Sequence, residues 1–239
     1  MRRMRTRPGV RGGRRAALRW TAAPAVTAAG ALALAGCGQT QLGAAALYSN
    51  QRISTAKLTA EVKNLNAAYQ ADKAKLNPRY APAEMPRKVL TWMLQFATAD
   101  QVANRLDITV TPAYAQKQAD AEKASIQQSG DTLPEAAVLN GLPPDLLPRL
   151  GRYIAIQIKL QNLLDNGVAP TTNAAQQVLL AKISHVNCLA AKSMHIKINP
   201  QYGGYDYRQF AVVPVQSNLS TQPGTRKQHS LAPQLTPKC

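Results

Sequence analysis

Acidic residues are scarce in this chain, 12 in 239 against 29 lysines and arginines. They are scattered singly apart from Asp120 and Glu122. Two positions apart on a helix, these point to different sides, so hydrolysis by paired carboxylates has no seat. Histidine and cysteine number only three each. His185 and Cys188 share one face of an expected helix, with His195 close in sequence, but a structural zinc site needs a second pair that is missing. Nothing supplies the orienting partner that a histidine-activated Cys188 thiol would need as a nucleophile. No glycine-rich phosphate loop follows a strand, and no basic cluster interleaved with aromatics points to nucleic acid. No internal repeat is visible. The chain therefore reads as a non-enzyme without metal or cofactor.

A long apolar run is also lacking, and the short one present is informative. Eight arginines (Arg2, Arg3, Arg5, Arg7, Arg11, Arg14, Arg15 and Arg19) and no acid precede an Ala-rich stretch that ends in Leu34-Ala35-Gly36-Cys37. At about 15 residues, this stretch is shorter than the ~20 needed to span a bilayer, which suits a cleaved signal better than a permanent anchor. The order of basic segment, apolar segment, small residues and cysteine resembles a bacterial lipobox. That resemblance implies cleavage between Gly36 and Cys37, diacylation of the Cys37 sulfur, and a chain lipid-anchored to the extracytoplasmic face of the cell membrane. Arg14-Arg15 loosely resembles a twin-arginine signal but lacks the usual aromatic two residues on, so the export route stays open.

Removing those eight arginines from the 29 basic residues leaves 21, and with the 12 acids a net charge of +9 for residues 37–239. That balance favours anionic headgroups, cell-wall polymers or acidic clients over nucleic acid. About 200 residues are enough for one helical domain with a real core. With Cys37 given to lipid, Cys188 and Cys239 are left able to pair in an oxidising compartment. Sequence alone does not bring them within the ~6 Å that a disulfide needs.

Along that chain, Ala44 to Tyr48 reads as a strand, Ser49-Asn50-Gln51 as a turn and Arg52-Ile53 as a return. Ser54 or Thr55 then caps a helix whose apolar stripe is Leu58, Val62, Leu65, Tyr69 and Leu76, closed by Asn77-Pro78. A second helix from Pro86 to about Leu106 is apolar nearly all round and so should be central. Thr111-Pro112 opens a polar, peripheral third helix to about Gln128. Leu133 to Leu139 forms a short helix. Pro148 to Asn166 alternates in part like a strand, but its length favours a helix. A last helix runs from about Asn173 to Met194, and Ile196-Lys197-Ile198 can pair with Leu47-Tyr48 to join the domain's two ends. The Ser/Thr/Gln/Pro-rich segment from Ser217 to Lys238 should be disordered unless Cys239 is bonded.

Three pieces recur in an informative order: Ala46-Leu47-Tyr48-Ser49-Asn50-Gln51-Arg52-Ile53-Ser54, an Ile108-Thr109-Val110-Thr111-Pro112 junction, and Ile198-Asn199-Pro200-Gln201-Tyr202-Gly203. Between Ala44 and Asp206 the chain resembles the N-terminal domain of SurA-type chaperones, in particular the short lipoproteins of high-GC bacteria that carry this domain alone. Where that family's closing segment has valine and arginine, Ile198 and Gln201 stand here. The resemblance implies a mainly α fold of five to six helices, with a small two-stranded pairing of the N- and C-terminal segments, that binds unfolded or nascent exported proteins. Full-length relatives continue into a parvulin prolyl isomerase. The roughly 40 residues after Pro200 are too few and too polar for a parvulin core. The expected organisation is a signal peptide at 1–36, a lipidated spacer at 37–43, the helical domain at 44–208 and a largely disordered tail at 209–239.

A client-binding surface needs apolar groups in an exposed concavity. Trp92, Met93, Phe96 and Tyr153 are the large or adaptable side chains that could line one, although a Met and aromatic stripe on a central helix is more often plain core. Tyr202, Tyr205 and Tyr207 beside Gly203-Gly204 either pin the terminal segment or offer an exposed ledge. The alternative function is a ligand- or cell-wall-binding lipoprotein that uses the same helices around a specific pocket.

Overall fold

Ser54 sets where the first helix begins. Its hydroxyl accepts the backbone N–H of Lys57 at 3.1 Å, which satisfies one of the free donors of a helical first turn. The computed structural model describes residues 43–78, 80–215 and 239. Six α-helices lie among these: α1 (Thr55–Ala71), α2 (Met85–Arg105), α3 (Pro112–Gln128), α4 (Leu133–Leu139), α5 (Leu147–Leu164) and α6 (Asn173–Ser193). Thr111, Thr132 and Thr172 cap α3, α4 and α6 as Ser54 caps α1. At α4 the cap is reciprocal, because Glu135 Oε2 accepts the Thr132 N–H at 2.8 Å. The segment with mixed periodicity around Ile154 to Leu160 is helical throughout. The first helix is shorter than its apolar stripe implies. It ends at Ala71, and the chain turns at Asp72, whose carbonyl accepts the Lys75 and Leu76 N–H groups, while Leu76 still reaches the core.

Helix α2 is the centre of the packing. Val89, Leu90 and Leu94 on it are fully buried, and it contacts α1, α5 and α6. Helix α3 buries no residue and lies on α5. The two approach closely because Gly151 faces α3: a Cβ there would meet the Ala115 carbonyl oxygen at 2.5 Å and the Ala119 Cβ at 2.9 Å.

The β structure is larger than a two-stranded pairing. Strand β1 (Ala44–Tyr48) is central in an antiparallel sheet of order β2-β1-β3, with β2 (Gln51–Ser54) on one side and β3 (Lys197–Ile198) on the other. Ala46 lies opposite both Ile53 and Ile198. Asn199 extends the closure, its side-chain Nδ2 donating to the Ala44 carbonyl at 3.1 Å. A second antiparallel pair, β4 (Gly204–Asp206) and β5 (Ala211–Val213), carries ordered structure past the expected boundary at Arg208. The pair is held by α2: the Val212 N–H donates to Thr91 Oγ1 at 2.9 Å, and Gln95 Nε2 donates to the Phe210 carbonyl at 3.2 Å. A tail beginning at 209 is thus corrected for residues 209–215. The expected signal, the Gly36–Cys37 cleavage point, Cys37 lipidation and residues 216–238 lie outside the described residues.

Candidate functional site

Three of the four side chains expected to meet a client meet one another. The Trp92, Phe96 and Tyr153 rings form a triangle with centroids 5.7 to 6.2 Å apart, tilted or edge-on. Phe96 and Met93 are buried, at 2% and 4% exposure. Trp92 is tied down by a bond from Nε1 to the Asn140 carbonyl at 3.0 Å, and burial pushes the Tyr153 phenol up. The Arg149 guanidinium caps the Phe96 ring at 5.0 Å. Arg149 and Arg152 also reach Asp100, at 3.4 and 2.9 Å, in exposed pairs of small energetic weight. Phe96 and Met93 therefore have almost no surface to offer, and charge rims the cleft beside the triangle. Packing accounts for Met93 and Phe96, while Trp92 and Tyr153 are half-buried against the core.

The tyrosines after Gly203 also pack. Tyr205 and Tyr207 meet edge-on at 5.0 Å, and Tyr202 lies against the core. Burial pushes the Tyr205 phenol up to about 12, opposed by the neighbouring Thr98 hydroxyl. Among the described residues the two hydroxyls nevertheless have no well-formed hydrogen-bond partner. Thr98 borders a pocket of about 390 Å³ that also takes in Gln95, Tyr153, Gln157, Asn187 and Phe210, a lining without a charged group.

The exposed apolar surface is elsewhere, where α5 hands over to α6. Asn166 and Gly167 both adopt left-handed backbone, at φ 55° and 74°, and fold the chain back. Around this turn Leu163, Val168, Val178 and Leu180 are 52–70% exposed. Val168 and Val178 line an open cleft of about 820 Å³ with Leu164, Leu179 and Pro170, and Asp165 and Lys182 are its charged members. The sequence carried a signal for this ledge. Helix α6 bears Val178, an apolar residue off its buried stripe, which a helix packed on one side only would not need.

Cys188, buried on α6, is bonded to Cys239, with Cα atoms 5.7 Å apart. His185 is exposed beside it, and no group of three or more metal-ligating side chains occurs among the described residues. Among those residues, too, no helix is long and apolar enough to cross a membrane. On α1 the Glu61 carboxyl is pushed up, first by burial and then by the Asp145 charge. Comparison with family models, with curated proteins and with solved structures finds no match to this chain.

Proposed function

We propose that this protein is a lipoprotein, anchored through Cys37 to the extracytoplasmic face of the membrane, whose SurA-like helical domain holds unfolded or nascent exported proteins without ATP and without catalysing a reaction. The observation that carries this reading is the apolar ledge at the α5–α6 turn, an open cleft lined by Leu164, Val168, Val178 and Leu179, of which Val168 and Val178 are well exposed. Such a surface makes few demands on a partner's sequence. Each client side chain of Leu or Phe size that it buries contributes about 1.5–3 kcal/mol, so a few contacts, less the cost of association, give weak and promiscuous binding. The net positive charge adds attraction for acidic clients. The SurA likeness draws support from the pairing of β1 with β3, which joins two of the segments on which the resemblance rests.

The test is aggregation of a chemically unfolded exported protein, with residues 38–239 at equal molar ratio, against an inert basic protein of similar charge. Suppression beyond that control is expected, and Val168→Glu with Val178→Glu should abolish it while leaving the helical signal unchanged. Failure to suppress would overturn the holding role. One observation favours a second reading, a small-ligand-binding lipoprotein: the uncharged pocket at Gln95, Gln157 and Asn187, with the unpartnered Thr98 hydroxyl at its edge, suits a neutral ligand rich in hydroxyl or amide groups.

A further inference from the structure

Three helices each send one amide side chain to the same uncharged pocket of about 390 Å³: Gln95 from α2, Gln157 from α5 and Asn187 from α6. Two of these amides are held in one orientation. Gln95 Nε2 donates to the Phe210 carbonyl at 3.2 Å, and Asn187 Nδ2 donates to the Ile183 carbonyl at 3.0 Å. With a nitrogen of each so engaged, both present an oxygen that is free to accept. Gln157 is half-buried, and its amide has no hydrogen-bond partner among the described residues. It therefore offers both a donor and an acceptor.

Aromatic rings form the rest of the wall. Tyr153 lies four residues before Gln157, on the same face of α5. Phe210 stands between β4 and β5 with left-handed backbone, at φ 50°. A bulky residue rarely adopts that region, whereas glycine holds it without strain. Strain of this kind is kept where the side chain has a task. The Thr98 hydroxyl at the pocket's edge is closed to solvent, so ligand contact falls to the amides and the rings.

The geometry points to this pocket as a binding site for one ring of a neutral pyranose sugar, an inference that deepens the ligand-binding reading above and rests on it. Sugar hydroxyls donate to the Gln95 and Asn187 oxygens and pair with Gln157 in either sense, while the flat C–H face of the ring lies on Phe210. Each feature narrows the ligand class. Fixed acceptors call for a ligand rich in donors. A lining without charge leaves a desolvated carboxylate, phosphate or ammonium with no counterion. An aromatic wall favours a ring with a flat apolar face over an open-chain polyol. The volume lies near the lower end for ligand pockets, which suits one ring and not a chain.

Titration of the isotope-labelled, full oxidised chain, followed through its side-chain amide NMR signals, tests this. Glucose or N-acetylglucosamine should shift the Gln157 and Asn187 signals saturably in the millimolar range, the strength that about a dozen heavy atoms and a few neutral hydrogen bonds provide. Glucuronate, which adds a charge, and sorbitol, which opens the ring, should each bind about tenfold more weakly. Gln157→Leu, and Phe210→Gly, whose glycine accepts the same backbone, should each weaken sugar binding about fivefold or more with the helical signal unchanged. Unchanged affinity in either variant, or shifts confined to another surface, would overturn the proposal. Sorbitol binding as well as glucose at these amides would overturn the sugar assignment and leave the ligand-binding reading standing. If no compound of the set binds, both fall. Maltotriose separates two sources of the same ring: tighter binding than glucose marks the end of a glycan, and equal or weaker binding marks a free sugar, the ring site holding in both cases.

Discussion

Tyr80 and Tyr205 show how single side chains hold the periphery of this fold to its centre. The Tyr80 hydroxyl donates to the Val138 carbonyl at 2.6 Å, which binds the loop before α2 to the end of α4. Burial pushes its phenol up to about 12, as it does that of Tyr205 on β4. Both groups carry the same linkage with pH. In the unfolded chain each would lose its proton near pH ~10, while the folded protein keeps it, so between these values the native state holds more protons than the unfolded one. Their contribution is complete below pH ~10 and is lost as pH rises toward 12. Tyrosinate absorbance should therefore still be rising as pH approaches 12, with Tyr80→Phe and Tyr205→Phe each removing part of that late rise. The denaturation midpoint should fall across the same range, and Tyr80→Phe with Tyr205→Phe should flatten that fall. A midpoint indifferent to pH above 10 in the parent chain would refute the assignment. Neither tyrosine is legible as a structural anchor in sequence, because the distant backbone carbonyl or helix that receives each is set by the tertiary fold.

Helix boundaries were the most readable elements, and the reason is local: Ser54, Thr111, Thr132 and Thr172 each bond a backbone N–H three residues on, a contact that sequence spacing alone specifies. The β4–β5 pair was missed for the opposite reason. Its strands are three residues long, and they are stabilised by Thr91 and Gln95 on a helix more than 100 residues away. The candidate surface was hard to tell from core in sequence for a related reason. An aromatic stripe on α2 and exposed leucines on α6 look alike in composition, and only the neighbours decide which is covered. The α3–α5 contact depends on one missing side chain. Gly151→Ala would place a methyl group against the Ala115 carbonyl and the Ala119 Cβ. The alanine's better helix propensity returns at most ~1 kcal/mol, whereas forced separation in a close-packed contact costs ~1–3 kcal/mol. Net destabilisation by urea titration is expected, with α3 the first element to lose exchange protection. A stabilised variant would mean that the helices separate freely.

At the scale of the whole molecule, the chain is closed twice. Strand β3 returns residues 197–198 to β1 near the N-terminal end of the domain, and the disulfide returns residue 239 to α6 across a sequence separation of 51. The first closure joins elements within the core. The second adds little packing, so its contribution comes chiefly from restricting the unfolded chain. For a loop of this length the chain-entropy model gives about 4 kcal/mol, an upper value wherever the reduced, unfolded chain keeps residual structure. That is a large share of the roughly 5–15 kcal/mol that holds an ordinary domain together. Reduction should therefore lower the urea midpoint substantially while leaving the helical signal intact below the transition. Cys239→Ser should reproduce the reduced midpoint without reductant, since it removes the same loop constraint. If reduction shifts the midpoint and Cys239→Ser does not, the effect belongs to the reductant or to the free Cys239 thiol and not to chain closure, because both forms carry the same free Cys188. If neither shifts it, the helical domain is self-sufficient, and the bond serves only to hold Cys239 to α6.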